Sequence, residues 1–131
     1  MAYLWIAVGS ALGGMARFWF SGVAARLVGE TFPWGTIFVN VLGSFLIGFL
    51  ATLTGPDGRI FADTLTRQFL MLGILGGYTT FSSFSLQSLT LLQDGEWLLA
   101  GANIAVSVIA CLVAVWMGYA LAATINSLKW I

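Results

Sequence analysis

Three stretches of this chain carry groups that could handle an ion inside otherwise apolar surroundings. The first runs from Gly73 to Gln87 and reads Gly-Ile-Leu-Gly-Gly-Tyr-Thr-Thr-Phe-Ser-Ser-Phe-Ser-Leu-Gln. It lies within an uncharged run, Gln68 to Gln93. Gly76-Gly77 weakens a helix there, and the hydroxyls that follow can bond backbone instead of continuing the ladder. A break in the middle of a membrane span exposes backbone at midplane depth. Such backbone survives only where protein or a water-filled cavity covers it, and it is where ion sites form. The same residues also suit close helix packing, with serines as interhelical hydrogen-bonders. The second stretch sets Thr36, Asn40 and Ser44 four residues apart, on one helical face beside Gly43. The third repeats that spacing in Asn103, Ser107 and Cys111. For both stripes, an ion pathway or interhelical hydrogen bonds would satisfy the buried polar groups. Arg17 stands alone in an apolar segment, where it is either a functional charge or a side chain snorkelling to the headgroups.

Composition sets the stage for these groups. The chain has 131 residues, 60% hydrophobic and 8% charged, which makes it an integral membrane protein. The net charge is zero, so no nucleic-acid partner is implied. Histidine is absent and Cys111 is the single cysteine, which removes disulfides, zinc sites and Ser-His or Cys-His chemistry. No enzyme is expected. The N-terminus starts apolar without a basic region, so it reads as a helix and not as a signal peptide.

The patterning predicts an all-α fold, one domain over residues 1–131, with four transmembrane helices. These cover roughly 2–27, 34–54, 66–92 with a break at 76–80, and 97–127. Helix 1 carries Gly9, Gly13 and Gly14 for close approach. Pro33 sits just ahead of helix 2, where its missing N–H costs nothing. Gly55 to Arg67 is a polar loop with Asp57, Arg59 and Asp63, and Asp94-Gly95-Glu96 is a tight acidic turn. Phe81, Phe84 and Gln87 recur every three residues and share a face if that segment is helical. Trp5, Trp34, Trp97 and Trp130 lie near segment ends and suit interfacial anchoring. Four spans put both termini on one side. That side holds Arg59, Arg67 and Lys129 against Arg26 and the embedded Arg17 on the other, a bias weak enough for insertion both ways.

Taken together, these residues resemble the Fluc (CrcB) fluoride channel family. The resemblance rests on Gly13-Gly14-Met15-Ala16-Arg17-Phe18 in helix 1 and on Trp34 to Phe45 in helix 2, which reads Trp-Gly-Thr-Ile-Phe-Val-Asn-Val-Leu-Gly-Ser-Phe. It rests most of all on Gly76-Gly77-Tyr78-Thr79-Thr80-Phe81-Ser82-Ser83-Phe84-Ser85 in helix 3. The resemblance implies an antiparallel dual-topology homodimer with two fluoride pathways built by both subunits. It also implies a structural sodium ion at the dimer centre, held by the backbone carbonyls of Gly76 and Thr79. Carried onto this chain, Phe81 and Phe84 are the paired pore rings, Asn40 the pore asparagine and Arg17 the helix 1 arginine. Asn103, Ser107 and Cys111 form the polar stripe, and Thr36, Thr80 and Ser83 join the pathway set. Gln87 stands where the family often has glutamate, Ser83 where it has threonine, and Cys111 where a hydroxyl is common.

Those residue types suit fluoride, which holds its water tightly and must be handed to hydrogen-bond donors. Asn40 offers amide N–H groups, Ser107 and the threonines offer hydroxyls, and the ring edges of Phe81 and Phe84 carry partial positive charge. The implied function is passive export of fluoride through a bacterial inner membrane. A proton-coupled exporter of drug cations would need a membrane-embedded carboxylate. Glu30, Asp57, Asp63, Asp94 and Glu96 all fall in loops or at helix ends. A structural membrane protein without transport is the remaining alternative.

Overall fold

The computed structural model describes residues 1–128, all of whose regular structure is helical. Lys129, counted above among the terminal-side charges, and Trp130, read as an interfacial anchor, lie outside the described residues. Helix α1 spans Ala2–Val28, α2 Trp34–Leu53, α3 Thr64–Gln93 and α4 Trp97–Ser127. Three of them, α2, α3 and α4, are long and apolar enough to cross a bilayer, so the chain is a multi-pass membrane protein. Helix α1 has the length, 27 residues, but Arg17, Arg26 and its glycines and serines dilute its apolarity. Large apolar side chains stand outside the bundle, with Leu98 86% and Trp116 64% exposed. Lipid is the solvent such a surface requires.

Helix α3 is not uniform. Asp63 caps its start by accepting the Thr66 N–H at 3.0 Å. Hydrogen bonds from the Thr66 side chain and backbone hold the Asp63 carboxyl below the usual carboxylate range. Thr64–Arg67 is α-helical, Gln68–Leu75 winds as a π-helix, and Gly76–Tyr78 returns to α geometry. Thr79 (φ −80°, ψ 158°) and Thr80 (φ −152°, ψ 114°) are extended, and Phe81–Gln93 resumes the α-helix. The sequence places the break at 76–80; the extended backbone occupies only Thr79 and Thr80. Gly76 and Gly77 keep helical geometry, and the bareness of Gly77 serves contact. A Cβ on Gly77 would stand 2.8 Å from the Ser10 Cα of α1.

Bare backbone surfaces set the helix pairs. Helix α1 lies along the first half of α3, with Gly9 facing Gly73 and Gly13 facing the Ile74 carbonyl. Helix α2 lies along α4, with Gly48 against the Val115 carbonyl and Gly118 against the Phe45 carbonyl. Without a hydrophobic drive between helices in lipid, close van der Waals approach of this kind supplies the association. Gly13→Ala is therefore expected to lower thermal stability sharply, since its Cβ meets backbone that cannot rotate away. Gly14→Ala meets nothing within 4 Å and gains about 1 kcal/mol of helix propensity. Melting of the two variants in detergent checks this. Equal melting temperatures would contradict the close α1–α3 contact.

The polar link after α2 is tied to the helix ends. Arg67 donates to the Thr54 carbonyl at 2.5 Å and to its hydroxyl at 2.7 Å. Asn126 accepts the Arg59 N–H at 2.9 Å and donates to the Thr52 carbonyl at 3.1 Å. Cations near a helix C-terminus complement its dipole as well as its free carbonyls.

Candidate functional site

The two extended residues lie at the centre of the 30-residue α3 span. They persist because their hydrogen bonds go elsewhere. The Thr80 N–H donates to Asn40 Oδ1 at 2.8 Å, and Asn40 Nδ2 donates back to the Thr80 carbonyl at 2.9 Å. A side-chain amide on α2 thus takes the place of a neighbouring strand. This arrangement uses the Asn40 oxygen and one of its N–H groups, and leaves the second N–H for the cavity that Asn40 lines. Gly43, one residue off that face, has the Thr79 methyl and the Tyr78 ring where a Cβ would go, so α2 can approach the break only with glycine there.

Thr80 also caps the second half of α3. Its hydroxyl oxygen accepts the Ser83 N–H at 3.1 Å, with the Ser83 hydroxyl at the same distance. The positive end of that helix therefore begins at the break. The break also releases backbone carbonyls, those of Gly76 and Thr79 among them. In an unbroken helix the Gly76 carbonyl would receive the Thr80 N–H, which Asn40 holds, and the Thr79 carbonyl would receive the Ser83 N–H, which Thr80 Oγ1 holds. Both residues line the same cavity. Their donor set is oxygen only, which fits a hard monovalent or divalent cation and not a thiophilic metal. Among the described residues no group of three His, Cys, Asp or Glu could hold a metal.

The cavity has a volume of about 410 Å³ and lies against the break. Of the residues singled out in the sequence, Asn40, Gly76, Thr79, Thr80, Phe81, Phe84, Ser107 and Cys111 line it. Phe81 and Phe84 stand with ring centroids 5.2 Å apart and an angle of 55° between planes. Phe84 is buried at 9% exposure, whereas Phe81 is 76% exposed and projects from the helix bundle. Ser44 also lines the cavity, although its stripe offered no reason to prefer it over Thr36.

Four residues of the expected set stand elsewhere. Arg17 is half-buried on α1, away from the cavity wall. Ser83 is turned to Thr80. Asn103 is buried behind the wall, hydrogen-bonded to Ser88 and Ser107. Thr36 lines a second cleft of about 450 Å³, together with Glu30, Gln87 and Asp94. The Gln87 Oε1 is buried there without a hydrogen-bond partner among the described residues. Ser88 was not marked by the sequence, because a serine one turn after Phe84 looks like any helical serine until its contact with α4 is known.

A polytopic helical protein whose third helix opens near the middle of its span onto a cavity lined by an asparagine, hydroxyl residues and aromatic rings falls in the class of membrane transport proteins that use broken helices. More specifically, the chain belongs to the CrcB family. Residues 4–119 match the family model described as CrcB-like protein, Camphor Resistance (CrcB). The chain is 59% identical over 127 residues to the fluoride-specific ion channel FluC of Opitutus terrae, a match covering 97% of this chain and 96% of that protein. It is 57% identical over 129 residues to the fluoride-specific ion channel FluC of Methylocella silvestris, covering 98% of each. With the protein of the same name from Rhodospirillum rubrum it shares 56% identity over 126 residues, 96% of this chain and 98% of that one.

Proposed function

We propose that this chain is the subunit of a fluoride-selective channel that lets fluoride leave a bacterial cell down its gradient. The observation that carries the reading is the midplane cavity lined by Asn40, Phe81, Phe84 and Ser107, in a chain 59% identical to a fluoride-specific channel. Fluoride shedding its water there meets the spare Asn40 N–H, hydroxyls and aromatic edges. Each donor is weak, so the ion can also leave. No carboxylate lines the cavity among the described residues, which keeps the wall free of charge that would repel an anion or serve a proton-coupled cation exporter.

The working unit in this reading is an antiparallel homodimer with α1 as a fourth span. The exposed Phe81 ring and the open side of the cavity support it, since a second copy would cover both. The released Gly76 and Thr79 carbonyls of two copies would hold a structural sodium ion at the centre. Bound there, the cation supplies positive charge that favours a passing anion. Arg17, Thr36, Ser83, Asn103 and Cys111 flank or support this route, and lipid surrounds it.

Fluoride efflux from proteoliposomes, with chloride as the comparison ion, tests the function. Reconstituted protein is expected to release fluoride rapidly under a potassium diffusion potential and to hold chloride at the rate of empty vesicles. Equal release of both ions, or of neither, would overturn the reading.

A further inference from the structure

The Ser107 hydroxyl is turned away from the cavity it lines. It donates to Asn103 Oδ1 at 3.2 Å. Other helical hydroxyls of the chain behave differently: Ser85, Ser88, Thr90 and Thr124 all donate to the carbonyl four residues back. Asn103 donates from Nδ2 to Ser88 Oγ at 2.9 Å, and Ser88 donates to the Phe84 carbonyl at 2.8 Å. All three side chains are buried, Asn103 to 1% exposure and the two serines to 7%. A hydrogen-bond chain therefore runs from one cavity-lining residue, through two that do not reach the cavity, to the backbone of another.

Resting on the fluoride reading, we propose that Asn103, anchored by Ser88, positions the Ser107 hydroxyl and reverses it when the anion arrives. In the observed direction Ser107 shows the cavity its lone pairs, which repel an anion. A half-turn of the carboxamide exchanges its oxygen and nitrogen within nearly the same volume. The Asn103 N–H then donates to Ser107 Oγ, and the Ser107 O–H is free to donate to fluoride. Ser88 swings its O–H from the Phe84 carbonyl to the Asn103 oxygen, and the Phe84 carbonyl is a helical acceptor with its own N–H partner. Three hydrogen bonds precede the reversal and three follow it, one of them to the anion. Only a residue that both donates and accepts can run the chain in either direction, and no charge moves. Loss of fluoride restores the first direction, so the site fills and empties with the ion. Asn103 and Ser88 are positioning residues acting through Ser107, not ligands.

A double-mutant cycle measured as fluoride efflux tests this. Asn103→Leu keeps the volume but can neither donate nor accept, and is expected to cut flux about tenfold, the scale of one lost hydrogen bond to a charged partner. Ser107→Ala is expected to do the same, and the double variant to be no slower than either single variant. A merely structural asparagine would instead give losses that multiply, to about a hundredfold, or a lower melting temperature with unchanged flux. Either result overturns the proposal. Should Asn103→Leu not fold, Ser88 carries the test: Ser88→Ala is expected to slow fluoride several-fold and Ser88→Thr, which keeps the hydroxyl, to restore it, whereas equal flux in both would refute the chain. A wild-type protein without fluoride flux would refute the channel itself; wild-type flux with a multiplicative cycle would refute the relay alone.

Discussion

Replacing Asn40 with Asp is expected to silence the protein at neutral pH and to return part of its flux in acid. The two side chains are nearly the same size, so packing against Thr80 is kept. The Thr80 N–H can still donate to the new side chain, as it does to Asn40 Oδ1 at 2.8 Å. The return bond cannot form, because an ionised carboxylate has no hydrogen to give the Thr80 carbonyl, which Asn40 Nδ2 meets at 2.9 Å. Two oxygens bearing negative charge are left facing one another in a partly buried site. A lost bond of that kind costs about 1–3 kcal/mol, more with charge, which is about a hundredfold at the upper end. The charge also faces the cavity, where it repels fluoride. In acid the carboxyl takes up a proton, its O–H can donate to the Thr80 carbonyl, and the charge disappears. Both losses are thus reversed by lowering the pH and return as it rises. Size-exclusion profiles and efflux, measured together across pH, check this. A stable assembly conducting normally at neutral pH would remove Asn40 from both roles.

That double role was only half legible in the sequence. The spacing of Thr36, Asn40 and Ser44 puts them on one face, and the hydropathy marks α2 as a span. Nothing local says that Asn40 reaches a residue 40 positions away and supplies the hydrogen bonds that keep Thr80 extended. For the same reason the interval 76–80 read from the glycine pair and the hydroxyls is wider than the two residues that become extended. Low helix propensity at Gly76-Gly77 is a local quantity, whereas the choice of Thr79 and Thr80 follows from partners on α2 and from the room that Gly43 leaves. The π-winding of Gln68–Leu75 had no signal beyond Gly73, because it reflects a fit to α1 and not a preference of those residues. Stripes were readable as stripes, but their ends diverge. Thr36 falls into the second cleft, and Asn103 lies behind the wall that Ser107 faces. A helical face is wider than one cavity, and a register of four residues cannot say which end is covered by a neighbour.

The second large effect concerns Cys111, the single cysteine, which lines the cavity as a free thiol. A small neutral thiosulfonate reagent adds its thioalkyl group to the cysteine sulfur as a mixed disulfide, with sulfinate leaving, and a reducing agent removes it. A benzylthio group occupies a large part of a cavity of about 410 Å³ and presents no hydrogen-bond donor to an anion. Because labelling has one possible target, its extent can be read from the mass of the intact protein. Cys111→Ser should conduct and ignore the reagent. The decisive measurement is fluoride efflux from wild-type proteoliposomes before labelling, after complete labelling and after reduction. Passage of fluoride along this cavity predicts normal flux, near-complete block and full recovery in that order. Fully labelled protein that conducts fluoride at the unlabelled rate would contradict it.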